Sequence, residues 1–92
     1  MGDRQPLNAI GGPLQKARLE LGLTQQSLAA KCNLIGLDIG RETISQIERG
    51  VRGVSDLEMI LLSKALKIEI TRLVPKTLPP WKKDLRPPNA VE

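Results

Sequence analysis

The segment 41–49, RETISQIER, carries the side chains best suited to recognising another molecule. If the segment is a helix, one of its faces contains only side chains that donate or accept hydrogen bonds. This face comprises Glu42, Ser45, Gln46 and Arg49. Arg41 and Thr43 project from the first turn beside it. Side chains of these types on a helix can read base edges in the major groove of duplex DNA, so the segment predicts a hydrogen-bonding surface.

Three side chains of the segment have donor and acceptor patterns that match a base. Gln46 can pair bidentately with adenine, and its alternative is an ordinary solvated helix residue. Arg41 suits guanine and phosphate equally. Glu42 can accept from the amino group of cytosine, but an acidic residue is also favoured at a helix N-terminus by the dipole alone. Both roles of Glu42 stay open at this stage.

Catalytic chemistry has no candidate residues in this chain. There is no His and a single cysteine, Cys32, and no Cys-x-x-Cys or phosphate-loop pattern occurs. Asp38, Glu42 and Glu48 are close in sequence, but arginines lie among them and no calcium-loop spacing is present. We therefore expect neither an enzyme nor a bound metal or cofactor.

The composition favours duplex DNA over a single strand as the nucleic-acid partner. The 92 residues carry a formal net charge of +4, which is weak support for an anionic ligand. The chain has no Phe and no Tyr, and Trp81 is its only aromatic residue. Single-stranded nucleic acid is usually held by stacking bases on aromatic rings.

The apolar residues are nearly all aliphatic. An apolar content of this kind favours short helices over strands, which indicates an all-α domain.

Two predicted helices have a charged residue on the stripe that should face the core. The first stripe is Leu14, Ala17, Arg18 and Leu21, and the second is Ile44, Ile47, Glu48 and Val51. A lone buried charge is costly, whereas a paired and hydrogen-bonded one is tolerated. Arg18 and Glu48 are therefore expected either to meet between the two helices or to extend separately to water.

The remaining elements follow from capping residues and apolar spacing. The first helix is predicted over 13–21, with Gly12 as N-cap, and Thr24 caps the second, whose inward residues include Ile35. A capping box at Ser55 begins the fourth, and a short fifth helix ends near residue 73. The inward stripe predicted for the fourth helix is Leu57, Ile60, Leu61, Ala65 and Ile68. Leu62 and Leu66 widen this stripe and could reach a dimer contact or the fifth helix. The predicted divisions are an N-terminal arm over 1–12, a helical domain over 13–75 and an extended Pro-rich tail over 76–92.

An ordered set of motifs resembles the lambda-repressor/Cro-like helix-turn-helix family, also called the xenobiotic-response-element type. The motifs are RLELGLTQ from Arg18, SLA from Ser27, TISQIERG from Thr43 and the Leu/Ala-rich stretch 61–66. The resemblance spans about residues 10 to 75. It implies a compact five-helix bundle whose third helix lies in the major groove, usually in a two-fold dimer.

The resemblance also implies roles for individual residues. Arg41, Glu42 and Gln46 match the family's base-reading positions on the third helix. The family's phosphate-contact positions are matched by Gln25, Thr43 and Arg49. Arg52, in the loop after the third helix, is placed like a further contact to the DNA backbone. Arg18 and Glu48 match a buried pair between the first and third helices, which favours the paired alternative.

The connection before the third helix departs from the family pattern. The usual turn has roughly three or four residues, and the stretch 33–40 is about five residues longer. The extra length either changes how the third helix is presented or lets Leu37 and Ile39 pack under the second helix.

Together these features predict a small transcriptional regulator, repressor-like, that binds double-stranded DNA sequence-specifically as a homodimer. The chain contains no run of apolar residues long enough to cross a membrane, and we expect it in the cytoplasm. The alternative is an interaction protein, such as an antitoxin or a co-regulator, in which the helical bundle is a scaffold and the tail around Trp81 docks a partner.

Overall fold

The computed structural model describes residues 5–77 of the chain, and over this range it is entirely helical. The elements are α1 (Gly11–Glu20), α2 (Gln25–Leu34), α3 (Arg41–Glu48), α4 (Asp56–Leu66) and a 3₁₀ helix (Ile70–Leu73). The predicted all-α class is confirmed, although the fifth helix is a single 3₁₀ turn. None of the helices in residues 5–77 has the length and the apolar content that a membrane span requires. The expectation for Trp81 concerns residues outside this range.

The first helix begins two residues earlier than predicted, at Gly11, and the side chain of Asn8, rather than Gly12, binds the N–H groups at its start. The Asn8 side-chain oxygen accepts hydrogen bonds from the backbone N–H groups of Ile10, at 3.0 Å, and Gly11, at 2.7 Å. Pro13 is thus the third helical residue, and its missing N–H costs nothing there, since the first turn has no intrahelical acceptors for its N–H groups. The segment before α1, expected to be an arm, is therefore hydrogen-bonded to the domain from Leu7 onward.

Both side-chain caps predicted for α2 and α4 are formed. Thr24 accepts from the backbone of Ser27 at 2.9 Å. Ser55 accepts from the backbone of Glu58 at 3.1 Å, and the Glu58 carboxylate accepts in return from the backbone of Ser55 at 3.0 Å. Such caps satisfy N–H groups that have no partner within the helix, and they fix where each helix begins.

The helices enclose one aliphatic core. Its fully buried members are Leu14, Leu28, Cys32, Ile44, Ile47, Leu62 and Leu73. Three residues predicted to face inward are instead exposed: Leu21 by 49%, Ile35 by 41% and Val51 by 36%. Each lies beyond the last residue of its helix, where the 3.6-residue period no longer sets the direction of the side chain.

The core face of α4 is rotated from the predicted stripe. Leu62, Ala65 and Leu66 are buried, whereas Leu57 is 61% exposed and Ile60 40% exposed. The helix has apolar residues on two faces, and its contacts with α2 and the 3₁₀ helix select the second face for burial. Leu57 and Ile60 therefore leave an apolar strip on the outside of the described domain.

The long connection between α2 and α3 packs against the domain. Leu37 is buried, and Ile39 packs on the edge of the core. The Asn33 amide donates to the carbonyls of Ala29 and Ile39, both at 2.7 Å. The extra residues thus fold under α2, which was one of the two alternatives for this segment, and they lead the chain into α3 along a path held by hydrogen bonds.

Candidate nucleic-acid interface

The two sides of α3 differ sharply in polarity. Ile44 and Ile47, with 0% and 1% exposure, anchor its inner side in the core. The outer side carries the exposed residues Arg41, Glu42 and Arg49 and the half-buried residues Thr43, Ser45 and Gln46. No apolar side chain stands among them. The helix is one residue shorter than predicted, with Arg49 as its C-cap. This amphipathic division presents one continuous hydrogen-bonding surface to the outside.

A buried ion pair joins α3 to α1. Arg18 donates to Glu48 through Nε, at 2.6 Å, and through Nη2, at 3.0 Å, and Arg18 Nη1 donates to the carbonyl of Leu23 at 2.8 Å. The side chains of Arg18 and Glu48 are only 9% and 2% exposed. The hydrogen bond to Glu48 raises the pKa of the Arg18 guanidinium, and desolvation opposes this rise. Two-point geometry of this kind fixes the relative position of two helices as well as neutralising both charges.

Gln25, at the start of α2, is connected to the same carboxylate. Its Nε2 donates to Glu48 Oε1 at 3.0 Å. A carboxylate only accepts hydrogen bonds, so this contact determines which end of the amide faces inward. The second hydrogen of Nε2 is available for a further acceptor such as a phosphate oxygen. The first turn of α2 is thereby joined to α1 and α3 through one buried carboxylate.

A second ion pair lies on the outer side of α3. Arg49 Nη2 is 3.5 Å from Glu42 Oε2, and Arg49 Nε donates to the hydroxyl of Ser45 at 3.2 Å. The Arg49 and Glu42 side chains are 56% and 67% exposed. Ion pairs that are this open to water contribute little stability. Arg49 can therefore exchange Glu42 for another anion at little cost.

Arg41 and Gln46 differ from Arg49 in having no internal partner. Within residues 5–77, the side chain of neither residue makes a hydrogen bond or an ion pair. Thr43 is half-buried beside them at the first turn of α3. The donors of Arg41 and the amide of Gln46 are thus open to a ligand, which replaces water and breaks no protein contact.

Arg52, which was predicted to contact a phosphate, is already bound within the protein. Its Nη1 and Nη2 donate to the two Glu58 oxygens at 3.1 and 3.0 Å, and Nη1 also donates to the carbonyl of Gly53 at 3.0 Å. The hydrogen bond from Arg52 is the main reason that the pKa of Glu58 is lowered, followed by the one from the backbone of Ser55. The guanidinium keeps unused N–H groups, since five are available in total.

Asn8 is the main contact residue that sequence reasoning missed. It binds the backbone at the start of α1, at Ile47 in α3 and at Arg52 in the following loop. The available signal was its type, because Asn is among the strongest N-cap residues and stands three positions before Gly11. Its reach to the end of α3, 39 residues away along the chain, has no sequence signature.

Residues 5–77 contain neither a candidate metal site nor a reactive cysteine. No cluster of three or more His, Cys, Asp or Glu residues occurs within residues 5–77. Cys32 is fully buried, and desolvation raises the pKa of its thiol to about 11, which disfavours the reactive thiolate.

A family of known proteins matches the part of the chain that contains these helices. The model of the family described as helix-turn-helix matches residues 14–73, from α1 through the 3₁₀ helix. The chain belongs to the helix-turn-helix family of lambda-repressor/Cro type. As a member of this family it is a DNA-binding transcriptional regulator, and its family is not enzymatic.

Solved structures agree with the assignment of this helix-turn-helix protein. The restriction-modification controller protein C.AhdI from Aeromonas hydrophila is 33% identical, with 70% of this chain and 86% of that chain covered and a TM-score of 0.62. A point mutant of the restriction-modification controller protein C.Esp1396I is 35% identical, with 65% and 70% covered and a TM-score of 0.58.

A third solved structure supports the fold alone. The hypothetical transcription factor NHTF from Neisseria is 20% identical, with 73% of this chain and 72% of that chain covered and a TM-score of 0.63. A search of curated proteins found no sequence that matches this helix-turn-helix regulator.

Proposed function

We propose that the outer side of α3 enters the major groove and that Arg41, Glu42 and Gln46 read the bases there. The observation that carries this proposal is the clean division of α3, whose inner isoleucines are fully buried while its outer side is wholly polar. Arg41 and Gln46 have no partner among residues 5–77, so they bind bases in exchange for water and break no protein contact. Glu42 contributes as an acceptor for a cytosine amino group or as a repulsive group against other sequences.

Four further residues are proposed to contact the phosphates on either side of the reading helix. They are Gln25, Thr43, Arg49 and Arg52. Gln25 is supported by its position in the first turn of α2, where free N–H groups and the helix dipole favour an anion. Arg49 exchanges an exposed carboxylate for a phosphate. Arg52 keeps its bond to Glu58 and uses a remaining N–H, so its contribution is the smallest of the four.

A two-fold homodimer on an inverted repeat is part of the same proposal. Leu57 and Ile60 lie one turn apart on α4 and form an exposed apolar strip on the described domain. Burying about 1,200–2,000 Å² is typical of a specific interface, and this strip supplies an apolar centre for one. Sedimentation of the wild-type chain beside Ile60→Glu tests this part, with a dimer expected for the first and a monomer for the second. A monomeric wild type would refute it.

The relatives suggest a specific biological version of this role. Two of the similar structures are restriction-modification controller proteins, and we propose that this chain controls genes of the same kind. A regulator must share a compartment with the DNA it reads, so a cytoplasmic location belongs to the proposal.

Selection of binding sites from random duplex DNA, at a stated salt concentration, tests the proposed function most directly. We expect an enriched sequence with two half-sites related by a two-fold axis and spaced by one helical turn or a multiple of it. Recovery of the input pool without enrichment would refute sequence-specific binding. Enrichment of a single half-site would retain the reading role but reject the dimer.

A further inference from the structure

The side chain of Asn8 joins the start of α1 to the end of α3. Its Nδ2 donates to the carbonyls of Ile47, at 3.0 Å, and Arg52, at 2.8 Å. Its Oδ1 accepts from the N–H groups of Ile10 and Gly11. The amide thus uses both of its donors and accepts two hydrogen bonds, and the reverse orientation would place like groups together at all four contacts. One side chain therefore performs two separable tasks, which are capping α1 and holding the end of α3.

Neighbouring contacts hold the same end of α3. The backbone N–H of Leu7 donates to the carbonyl of Gly50 at 2.8 Å. Gly11 lies so close that a Cβ on it would be 2.4 Å from the carbonyl oxygen of Ile47 and 3.0 Å from that of Glu48. Residues 7–11 therefore pack directly on the carbonyls where α3 ends and donate to two carbonyls in the chain that leaves it.

The position of α3 depends on contacts of this kind because the helix is short. It has eight residues, which is too few for stability as an isolated helix in water. Its inner side is anchored by Ile44 and Ile47, but apolar contacts are non-directional. The Arg18–Glu48 pair holds the last turn of α3 against α1. Further hydrogen bonds restrain its tilt, from Asn33 to the connection before α3 and from Asn8 to the carbonyl of Ile47 near its end. A small tilt moves the outer side chains relative to base edges, where bidentate pairing has strict geometry.

We propose that Asn8 is a positioning residue for DNA recognition, which sets the orientation of α3 through its hydrogen bonds to Ile47 and Arg52. The proposal rests on the proposed reading role of α3. Asn8 touches no base itself in this scheme. Its loss reduces discrimination between sequences, whereas binding to random duplex DNA, which depends on phosphate contacts, changes much less.

Two substitutions separate positioning from capping. Asn8→Asp and Asn8→Ser both keep a side-chain oxygen that can cap α1, because Asp and Ser are as favourable at a cap as Asn. Asp has no side-chain donor, and the Ser side chain is shorter and lacks the amide, so both lose the bonds to Ile47 and Arg52. Ser55→Ala is the matched control, since it weakens a helix cap at α4 and leaves the described contacts of Asn8 in place.

The measurement is the ratio of affinities for the selected site and for random duplex DNA, made at a temperature where circular dichroism shows each variant folded. We expect the ratio to fall at least about fivefold for both Asn8 variants, which is the lower end for one misplaced base contact. Affinity for random DNA should stay within about twofold for Asn8→Ser, whereas the added negative charge of Asn8→Asp weakens binding to both DNAs, so for that variant only the ratio counts. Ser55→Ala should keep the wild-type ratio.

Three outcomes would overturn the inference. They are a wild-type ratio in folded Asn8→Asp and Asn8→Ser, an equal loss for the Ser55→Ala control, and failure of both Asn8 variants to fold, which would make the contact purely structural. Failure of the proposed function is distinguishable from all three, because the wild-type chain would then show no preference for any sequence before a variant is compared.

Discussion

Two Arg–Glu pairs that involve α3 have the same chemistry and opposite surroundings. The inner pair, Arg18 with Glu48, has its closest contact at 2.6 Å, with side chains 9% and 2% exposed. The outer pair, Arg49 with Glu42, is separated by 3.5 Å, with side chains 56% and 67% exposed. The inner pair locks the helix to the domain, whereas the outer pair keeps its charges available to a ligand.

The difference follows from the cost of removing charges from water. A buried charge whose partner is deleted stays in a poorly solvated environment, so the loss is large. An exposed pair is screened by water and salt, and its rupture costs about 0–1 kcal/mol. Burial, rather than residue type, therefore decides which of the two pairs is structural. The proposed phosphate contact of Arg49 relies on this low cost, because the arginine gives up Glu42 to bind the DNA.

The largest expected effect is on the inner pair. Arg18→Ala should lower the free energy of unfolding by roughly 3–5 kcal/mol, because Glu48 would be left buried and without its ionic partner. Thermal or urea unfolding measures this change, with Arg49→Ala as the control from the outer pair. If the two variants had the same unfolding midpoint, the inner pair would not be more important for stability than the outer pair.

The second effect concerns recognition on the outer side. Gln46→Ala should cost about 1–3 kcal/mol of binding free energy on the selected DNA site and little on random DNA, because an amide lost from a base edge affects one sequence more than others. Titration of both DNAs measures it. Equal weakening on the two DNAs would show that Gln46 does not read a base.

A smaller effect is expected for the cation of the outer pair. Arg49→Ala should weaken binding to all duplex DNA and reduce the salt dependence of the binding constant by about one unit of slope, because one phosphate contact is lost. The test is the slope of log affinity against log salt for wild type and variant. An unchanged slope would argue that Arg49 stays with Glu42 in the complex.

The smallest effect tests the intermediate pair, Arg52 with Glu58, whose side chains are 34% and 23% exposed. The folded-state pKa of Glu58 lies below its ordinary value, so the pair stabilises the fold at neutral pH. This contribution is lost as the pH falls through the lowered pKa. Glu58→Gln should therefore be slightly less stable at pH 7 and show a flatter decline below about pH 4. Parallel curves for the two proteins would refute it.

Local chemistry made several features predictable. Thr24 and Ser55 cap helices through their own side chains and near neighbours, so both were found from the sequence. The positions of Arg18 and Glu48 on two core stripes already suggested a pair, and the structure joins them. The polar outer side of α3 followed from its 3.6-residue period. All of these signals extend over no more than a helix.

Other features depended on contacts between distant parts of the chain. α4 has two apolar faces, and the sequence pattern favoured the one with Leu57 and Ile60, which is exposed. Helix periodicity was also extended too far, by one residue at Leu21 and Ile35 and by three residues at Val51. The reach of Asn8 to Ile47 involves residues that have no relation in any local pattern.

The sequence by itself determined the helices, most of their caps, the family and the polar outer side of α3, because each depends on neighbours within a few turns. Only the tertiary structure decided which face of α4 is buried, that the long 33–40 connection folds under α2, and that residues 7–11 hold the end of α3. Those outcomes depend on which surfaces exclude water together, and that is a property of the whole packed domain.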